Sequence, residues 1–284
     1  MKLPFVYLVF TLGVMAGCTN HQNTPQNTQQ HLSVEGISEN AQNAAVSVHI
    51  LGVAQDAGFP QIGCEKEQCQ KYWDGLVAKG RVSSIGLVDQ SSNQYWIFDA
   101  TPDFPSQLQD LKTQYPSSSL GGIFLTHAHI GHYTGLMYLG HEAMGAQEVP
   151  VYMMPKMRDF ISTNGPWSQL VNYQNINPQN LTADQAVSLG QKIEVIPLLV
   201  PHRDEYSETV GYKIIGPQKS LLFIPDINKW EVWDRSIIEE ISKVDYALLD
   251  ATFYDVNDLN AAFILRCLGV FIFNSVNLLI VVDR

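Results

Sequence analysis

Three histidines within six consecutive positions are the clearest sign of chemistry in this 284-residue chain. His127, His129 and His132 lie in the segment THAHIGH at residues 126–132, and the whole chain contains eight histidines. Neutral imidazole is the commonest protein ligand for zinc. In extended backbone, side chains two residues apart point the same way, so His127 and His129 can bind one ion together. His132 can reach the same ion or an adjacent one. A solvated histidine loop without metal is the alternative interpretation.

This segment needs rigid elements on either side to hold its side chains in place. The apolar run at residues 122–125 predicts a buried strand before it, and apolar residues at helical spacing over 133–146 predict a helix after it. Further strands are predicted at residues 46–53, 81–89, 94–99, 149–153, 192–200, 210–215, 220–224 and 246–250. Further helices are predicted at 105–115, 156–164 and 230–242. This mixture without strict alternation favours layered β-sheets flanked by helices.

The histidine segment resembles the His-x-His-x-Asp-His signature of the metallo-β-lactamase superfamily. The resemblance implies an α/β (α+β) fold, a four-layer αββα sandwich, which we expect to be incomplete at its C-terminal end. It implies that His127, His129 and His202 hold a first metal and that Asp226, after a predicted strand, bridges to a second metal beside His132. The alternatives are that His202 is a surface loop histidine and that Asp226 caps a helix.

Two further motifs resemble the pyrroloquinoline-quinone biosynthesis protein B branch of that superfamily. They are QDAGFPQ at residues 55–61, followed by Cys64 and Cys69, and DATPD at residues 99–103. The resemblance covers residues 45–258. In that branch the cysteine region resembles a small structural zinc loop, but two thiolates do not complete a tetrahedral zinc site. A disulfide between Cys64 and Cys69 is the other interpretation, and the sequence leaves both open.

The chain departs from the superfamily signature at two positions. Gly131 stands where the signature has Asp, and no histidine follows His202, although the superfamily has one in the region after Asp250. The second metal would then have only His132 and the shared Asp226. We therefore expect one well-held zinc ion and a second that is weak or absent. Iron or manganese also suits these donors.

The predicted activity is hydrolysis by a zinc-bound hydroxide, acting on a phosphodiester or other ester-like small molecule. Asp226 and His132 are the predicted catalytic residues. Arg203, Tyr206 and Thr209 are candidate substrate contacts, and specificity is expected in a loop at residues 164–178. Two alternatives stay open on the same fold: a catalytically impaired binding protein and an oxidoreductase-like protein of cofactor biosynthesis.

Charge and composition limit the partners of the chain. The net charge is −11, and no basic patch is visible, so nucleic acid is not expected as a partner. A bound metal would still create a positive pocket for an anionic substrate. The sequence carries no signal for the oligomeric state.

The two ends of the chain differ from its middle. Residues 1–18 resemble a lipoprotein signal peptide ending at Cys18, and the polar residues 19–43 are typical of a flexible tether. We therefore expect an exported bacterial lipoprotein, anchored to a membrane at Cys18 and facing the periplasm or the cell surface. The metallo-β-lactamase-like domain is predicted at residues 44–260. The hydrophobic tail at 261–284 is either a membrane segment or a replacement of the original ending.

Overall fold

Two β-sheets carry the fold in the computed structural model, which describes residues 45–190, 192–251, 268–274 and 277–281, the last two stretches as backbone only. The first sheet has six strands in sequence order: β1 (Val46–Gly52), β2 (Ser84–Asp89), β3 (Gln94–Phe98), β4 (Ser119–Phe124), β5 (Val149–Met153) and β6 (Ile176–Asn180). The second has seven: β7 (Val187–Leu189), β8 (Ile193–Leu199), β9 (Val210–Ile215), β10 (Ser220–Ile224), β11 (Tyr246–Asp250), β12 (Leu268–Asn274) and β13 (Asn277–Val281).

Short helices lie between the strands along the chain. They are α1 (Glu67–Trp73), α2 (Phe104–Gln114), α3 (Ile130–Tyr133), α4 (Pro155–Thr163), α5 (Trp167–Asn172) and α6 (Ile237–Ser242), with 3-10 helices at Thr134–Leu139 and Trp230–Val232. Within the described residues, no helix combines the length and the apolar character that crossing a bilayer requires.

Alternating side chains along the strands divide the apolar interior into layers. In β10, Leu221 and Phe223 pack between the sheets, whereas Leu222 and Ile224 pack on the opposite face, toward Trp233. The first sheet alternates in the same way and covers its outer face with residues of α2, α4, α5 and the first 3-10 helix. This arrangement of helix, sheet, sheet and helix confirms the predicted αββα sandwich.

Strand direction brings several strand ends to one edge of the sandwich. Strands β3 and β4 are parallel, so both end at the same edge of the first sheet. Strand β9 pairs antiparallel with both β8 and β10, so β8 and β10 run in the same direction and also end together. Loops that follow these four strands can therefore meet.

Two predicted helices are wrong in extent. In place of the helix predicted over 133–146, α3 is followed by a 3-10 helix that ends at Leu139. After it, Gly145 adopts a left-handed φ of 58°, and its N–H donates to the carbonyl of Gly140, which closes a turn. The helix predicted over 230–242 is split, because the Ser236 side chain accepts a hydrogen bond from the Glu239 N–H and begins α6 there. The elements α1, α5, β6 and β7 were not predicted from the sequence.

Several expectations for the chain ends lie outside the described residues. These are the signal peptide, the tether and the lipid anchor at Cys18. In the tail, strands β12 and β13 extend the second sheet beyond β11 as an antiparallel pair, and neither strand was predicted from the sequence. Of the two interpretations of the cysteine pair, the structure has the disulfide between Cys64 and Cys69.

Candidate metal centre

Four predicted ligands lie on loops that leave the carboxyl ends of strands from both sheets. His127 and His129 follow β4 of the first sheet, while His202 follows β8 and Asp226 follows β10 of the second. Because these strand ends meet at one edge, residues separated by up to about a hundred positions in sequence become neighbours. The side chain of Asp226 is 6% exposed and that of His127 1%, so the centre is largely shielded from water.

The donor atoms of this set converge. The Nε2 atom of His127 lies 2.9 Å from Nδ1 of His129, and Nε2 of His202 lies 3.2 Å from the same Nδ1 atom. The Oδ2 atom of Asp226 lies 3.4 Å from Nε2 of His127 and 3.6 Å from Nε2 of His202. One donor atom from each of the four residues falls within 4.8 Å of the others.

Hydrogen bonds outside the cluster orient two of the imidazoles. The Thr126 hydroxyl donates to Oδ2 of Asp99 at 2.9 Å, so its oxygen is left to accept from Nδ1 of His127 at 3.0 Å. The Nε2 atom of His129 donates to Oε2 of Glu205 at 2.9 Å. These bonds assign the tautomers, and each ring turns its unprotonated nitrogen toward the cluster.

His132 joins a second, adjacent group of acids. Its Nδ1 atom donates to Oδ2 of Asp99 at 2.7 Å, and its Nε2 atom lies 3.0 Å from Oδ1 of Asp56 and 3.3 Å from Oδ2 of Asp226. Donor atoms of Asp56, His132 and Asp226 all lie within 4.8 Å of one another. Asp226 therefore belongs to both groups, as the predicted bridging carboxylate would.

Burial and charge set the protonation of these side chains. Burial, together with the charge on His132, lowers the pKa of His127 to about 3, so this imidazole is neutral at pH 7. Burial also lowers the pKa of His202. Burial alone would raise the pKa of Asp226, but the charge on His132 and the hydrogen bond from its Nε2 atom outweigh it and hold that pKa well below its usual range.

The donor set formed by His127, His129, His202 and Asp226, the first group, fits zinc. Three imidazole nitrogens and one carboxylate oxygen are the ligand types that zinc takes in proteins, and neutral imidazole with ionised carboxylate is the binding form. The charge balance fits as well, because a cation would face Asp226 and the nearby Asp56 and Glu205. The structure thus brings together His127, His129, His132, His202 and Asp226, all five residues predicted as ligands.

The predicted substrate contacts divide into two kinds. Arg203 and Tyr206 have largely exposed side chains beside His202. Thr209 is buried and donates its hydroxyl to Asp204, so the expectation that it faces substrate is wrong. The predicted specificity loop at residues 164–178 contains α5 and the start of β6 instead. Its Trp167 packs against Tyr133 with ring centroids 4.9 Å apart.

Four residues that shape the centre were not predicted from the sequence: Asp56, Asp99, Thr126 and Glu205. Asp56 and Asp99 lie in the motifs that carried the branch resemblance, but neither was given a role. The position of these two acids was a usable signal. Each follows a strand of the first sheet, and acids at such strand ends are candidates for contact with the histidine loop. Glu205 lies three residues after His202, in a loop whose path the pattern does not predict.

Comparison with known proteins agrees with this fold. A sequence profile described as the beta-lactamase superfamily domain matches residues 95–264, which is more than half of the chain. The chain therefore belongs to the β-lactamase superfamily, and its two-sheet architecture with a histidine centre at one edge is of the metallo-β-lactamase type.

Within that superfamily the chain is similar to proteins named coenzyme PQQ synthesis protein B. It is 28% identical to the protein from Nitrosococcus oceani over 243 residues, covering 76% of each chain. It is 27% identical to the protein from Klebsiella pneumoniae strain 342, covering 78% of this chain and 77% of the relative. The crystal structure of zinc-bound PqqB from Methylobacterium extorquens superposes with a TM-score of 0.62 at 22% identity, over 76% of each chain, and supports the fold.

Proposed function

We propose that this protein is a metal-dependent hydrolase that cleaves a phosphodiester or other ester-like bond in a small anionic molecule. The observation that carries the proposal is the convergence of His127, His129, His202 and Asp226 within 4.8 Å of one another. Their hydrogen-bond partners already orient the lone pairs of His127 and His129 toward the shared centre. Such a preorganised nitrogen and oxygen donor set is typical of a catalytic zinc site.

When bound there, zinc would lower the pKa of a water molecule toward neutrality and stabilise negative charge on the attacked group. Asp226 lies between His127 and His132, where its carboxylate orients the attacking water and accepts one of its protons. For a phosphodiester, the water oxygen bonds to phosphorus, the ester P–O bond breaks, and the leaving oxygen takes up a proton. With a single metal bound, Nε2 of His132 is the nearby donor of that proton.

The charges around the centre support an anionic substrate. With a net charge of −11, the chain attracts an anion mainly through a bound cation, which would be the largest local positive charge. Arg203 is the adjacent protein cation, with a side chain 61% exposed. The Tyr206 ring rests against Phe160, with centroids 5.3 Å apart, and is otherwise exposed. We assign these two residues to substrate contact.

Metal content and hydrolysis test this proposal together. The full chain should bind at least about one equivalent of zinc and, once loaded, cleave bis(p-nitrophenyl) phosphate, an activated phosphodiester probe. His202→Ala should lose both the metal and the cleavage. His141→Ala is the matched control, because His141 is exposed and stacks on Tyr173 away from the centre. Tight zinc binding without cleavage of any phosphodiester, lactam or thioester offered would favour the catalytically impaired binding protein instead.

A second candidate, a role in cofactor biosynthesis with oxidoreductase-like chemistry, is favoured by the relatives. Coenzyme PQQ synthesis protein B is the name of each relative reported above, at 27–28% identity over about three quarters of the chain. Imidazole and carboxylate donors also suit iron. Elemental analysis of the protein as isolated and a measurement of oxygen uptake separate the candidates. Iron with metal-dependent oxygen uptake would support the second candidate, and zinc with hydrolysis would support the first.

A further inference from the structure

Gly131 occupies the position at which the superfamily signature carries an aspartate, and the structure places another aspartate in the vacated space. A Cβ atom built on Gly131 would lie 2.5 Å from Oδ1 of Asp56, 3.1 Å from its Cα and 3.2 Å from its Cγ. Real Cβ atoms do not approach other atoms to 2.5 Å, and the Asp56 backbone is itself within close range. Any side chain at residue 131 would therefore displace Asp56.

Backbone conformation does not explain the glycine. Gly131 lies in the first turn of α3 and is not among the described glycines with left-handed φ, which are Gly58, Gly63, Gly75, Gly122, Gly145 and Gly190. The close approach of Asp56 is the feature of the structure that requires glycine at this position.

The loop that carries Asp56 is fixed at both ends. Before it, the N–H groups of Val53 and Ala54 donate to the carbonyl of Arg81, and Ser83 donates to the carbonyl of Ala54. After it, Phe59 and Gly80 exchange two backbone hydrogen bonds. The turn between is closed by a 2.8 Å bond from the Gly58 N–H to the Gln55 carbonyl. Asp56 is therefore held in place by the fold, as a preorganised ligand should be.

We propose that Asp56 supplies, from a different loop, the carboxylate that the signature places at residue 131, and so completes a second divalent-cation site with His132 and Asp226. Oδ1 of Asp56 and Oδ2 of Asp226 lie 3.0 and 3.3 Å from Nε2 of His132. The other ring nitrogen of His132 is held by Asp99, which fixes Nε2 toward the two acids. This inference rests on the proposed function, because Asp226 is shared with the first site.

The second site revises the expectation of a weak or absent second metal. That expectation counted only His132 and Asp226, whereas the structure adds a third protein ligand. Two carboxylates and one imidazole, with water completing the shell, suit zinc or manganese. A second cation beside the first would help to stabilise the leaving oxygen, the role that His132 would otherwise fill as a proton donor.

Counting bound metal in the full chain separates this inference from the proposed function. After loading with zinc and removal of free metal, the wild type should retain about two equivalents and Asp56→Ala about one. Asp159→Ala, at an exposed helix position, is the control and should match the wild type. If the wild type and Asp56→Ala both retain about one equivalent, the second site is wrong and the first stands. If the wild type retains none, both proposals fail.

Moving the carboxylate provides the sharper test, with metal content and the thermal unfolding midpoint as readouts. Gly131→Asp alone should clash with Asp56 and retain less metal than the wild type. The double variant with Asp56→Gly and Gly131→Asp moves the acid to the signature position, removes the clash, and should regain the second equivalent lost in Asp56→Gly. A folded double variant that binds no more metal than Asp56→Gly would contradict the inference. So would a Gly131→Asp variant that matches the wild type in both readouts.

Discussion

Thr126 binds Asp99 through two hydrogen bonds, one from its backbone N–H at 2.8 Å and one from its hydroxyl at 2.9 Å. The same hydroxyl oxygen faces Nδ1 of His127 at 3.0 Å, and Asp99 also binds Nδ1 of His132. One buried threonine and one buried aspartate thus orient a histidine in each of the two groups of donors.

Replacing Thr126 should weaken metal binding without removing a ligand. Thr126→Val keeps the shape of the side chain but removes the hydroxyl, so His127 loses the bond that fixes its tautomer. We expect zinc affinity to fall about 10-fold, the lower end of the effect of losing such a partner. Thr126→Ser should retain nearly the full affinity. A competition titration against a chromophoric chelator measures both, and equal affinity in Thr126→Val and the wild type would contradict the role.

Glu205 should support the first site in the same way from the solvent side. Its carboxylate accepts from Nε2 of His129 at 2.9 Å, which directs Nδ1 toward His127 and His202. Glu205→Gln should weaken zinc binding by about 10-fold or more, whereas Glu142→Gln, at an exposed position away from the centre, should not. If zinc affinity is unchanged in Glu205→Gln at low ionic strength, Glu205 does not position His129.

We expect the apolar side chains packed between the two sheets to contribute most to the free energy of unfolding. Phe124 is fully buried and stacks between Phe98 and Tyr152, with ring centroids 4.9 and 4.3 Å away. Phe124→Ala should lower the free energy of unfolding by about 3–5 kcal/mol, because a large cavity forms beside the metal-binding loop. Ile62→Ala, at a side chain 89% exposed, should change it by less than about 0.5 kcal/mol. Urea unfolding of both variants gives the comparison, and similar midpoints would contradict it.

Asp89, at the end of β2, should make a pH-dependent contribution to stability in the hairpin formed by β2 and β3. Burial raises the pKa of Asp89, but hydrogen bonds from Ser91 and Ser92 outweigh it and leave that pKa below its ordinary value. A depressed pKa stabilises the fold above the unfolded-state pKa, and the contribution disappears as the pH falls through the folded-state value. Asp89→Asn should therefore cost about 1 kcal/mol at pH 7 and progressively less below about pH 4. A loss that is constant between pH 7 and pH 3 would rule out this linkage.

Much of the fold follows from local patterns in the sequence. The bounds predicted for β9, β10 and β11 agree with the structure at both ends, since these strands are short apolar runs between clear turn residues. The extent of the helices around Gly140 and Ser236 was wrong, because a glycine turn and a serine cap override the apolar spacing on either side. Edge strands β6 and β7 were missed, since their sequences are polar or very short.

The candidate site was predictable where its residues share a motif and not where the fold supplies them from elsewhere. His127, His129 and His132 follow from spacing alone, and His202 and Asp226 follow from the resemblance and their strand-end positions. Asp56 could not be placed beside Gly131, because their proximity depends on how the loop after β1 is pinned at Arg81 and Gly80. From the sequence alone, without the contact between Asp56 and Gly131, the glycine indicates only that a metal ligand has been lost.

One cation shared by His127, His129, His202 and Asp226 is the central feature proposed for this protein. Anomalous diffraction at the zinc edge, from crystals grown with zinc, tests it most directly. We predict a strong anomalous peak about 2.0–2.1 Å from Nε2 of His127, Nδ1 of His129 and Nε2 of His202. Well-ordered imidazoles with no anomalous peak among them would contradict the account.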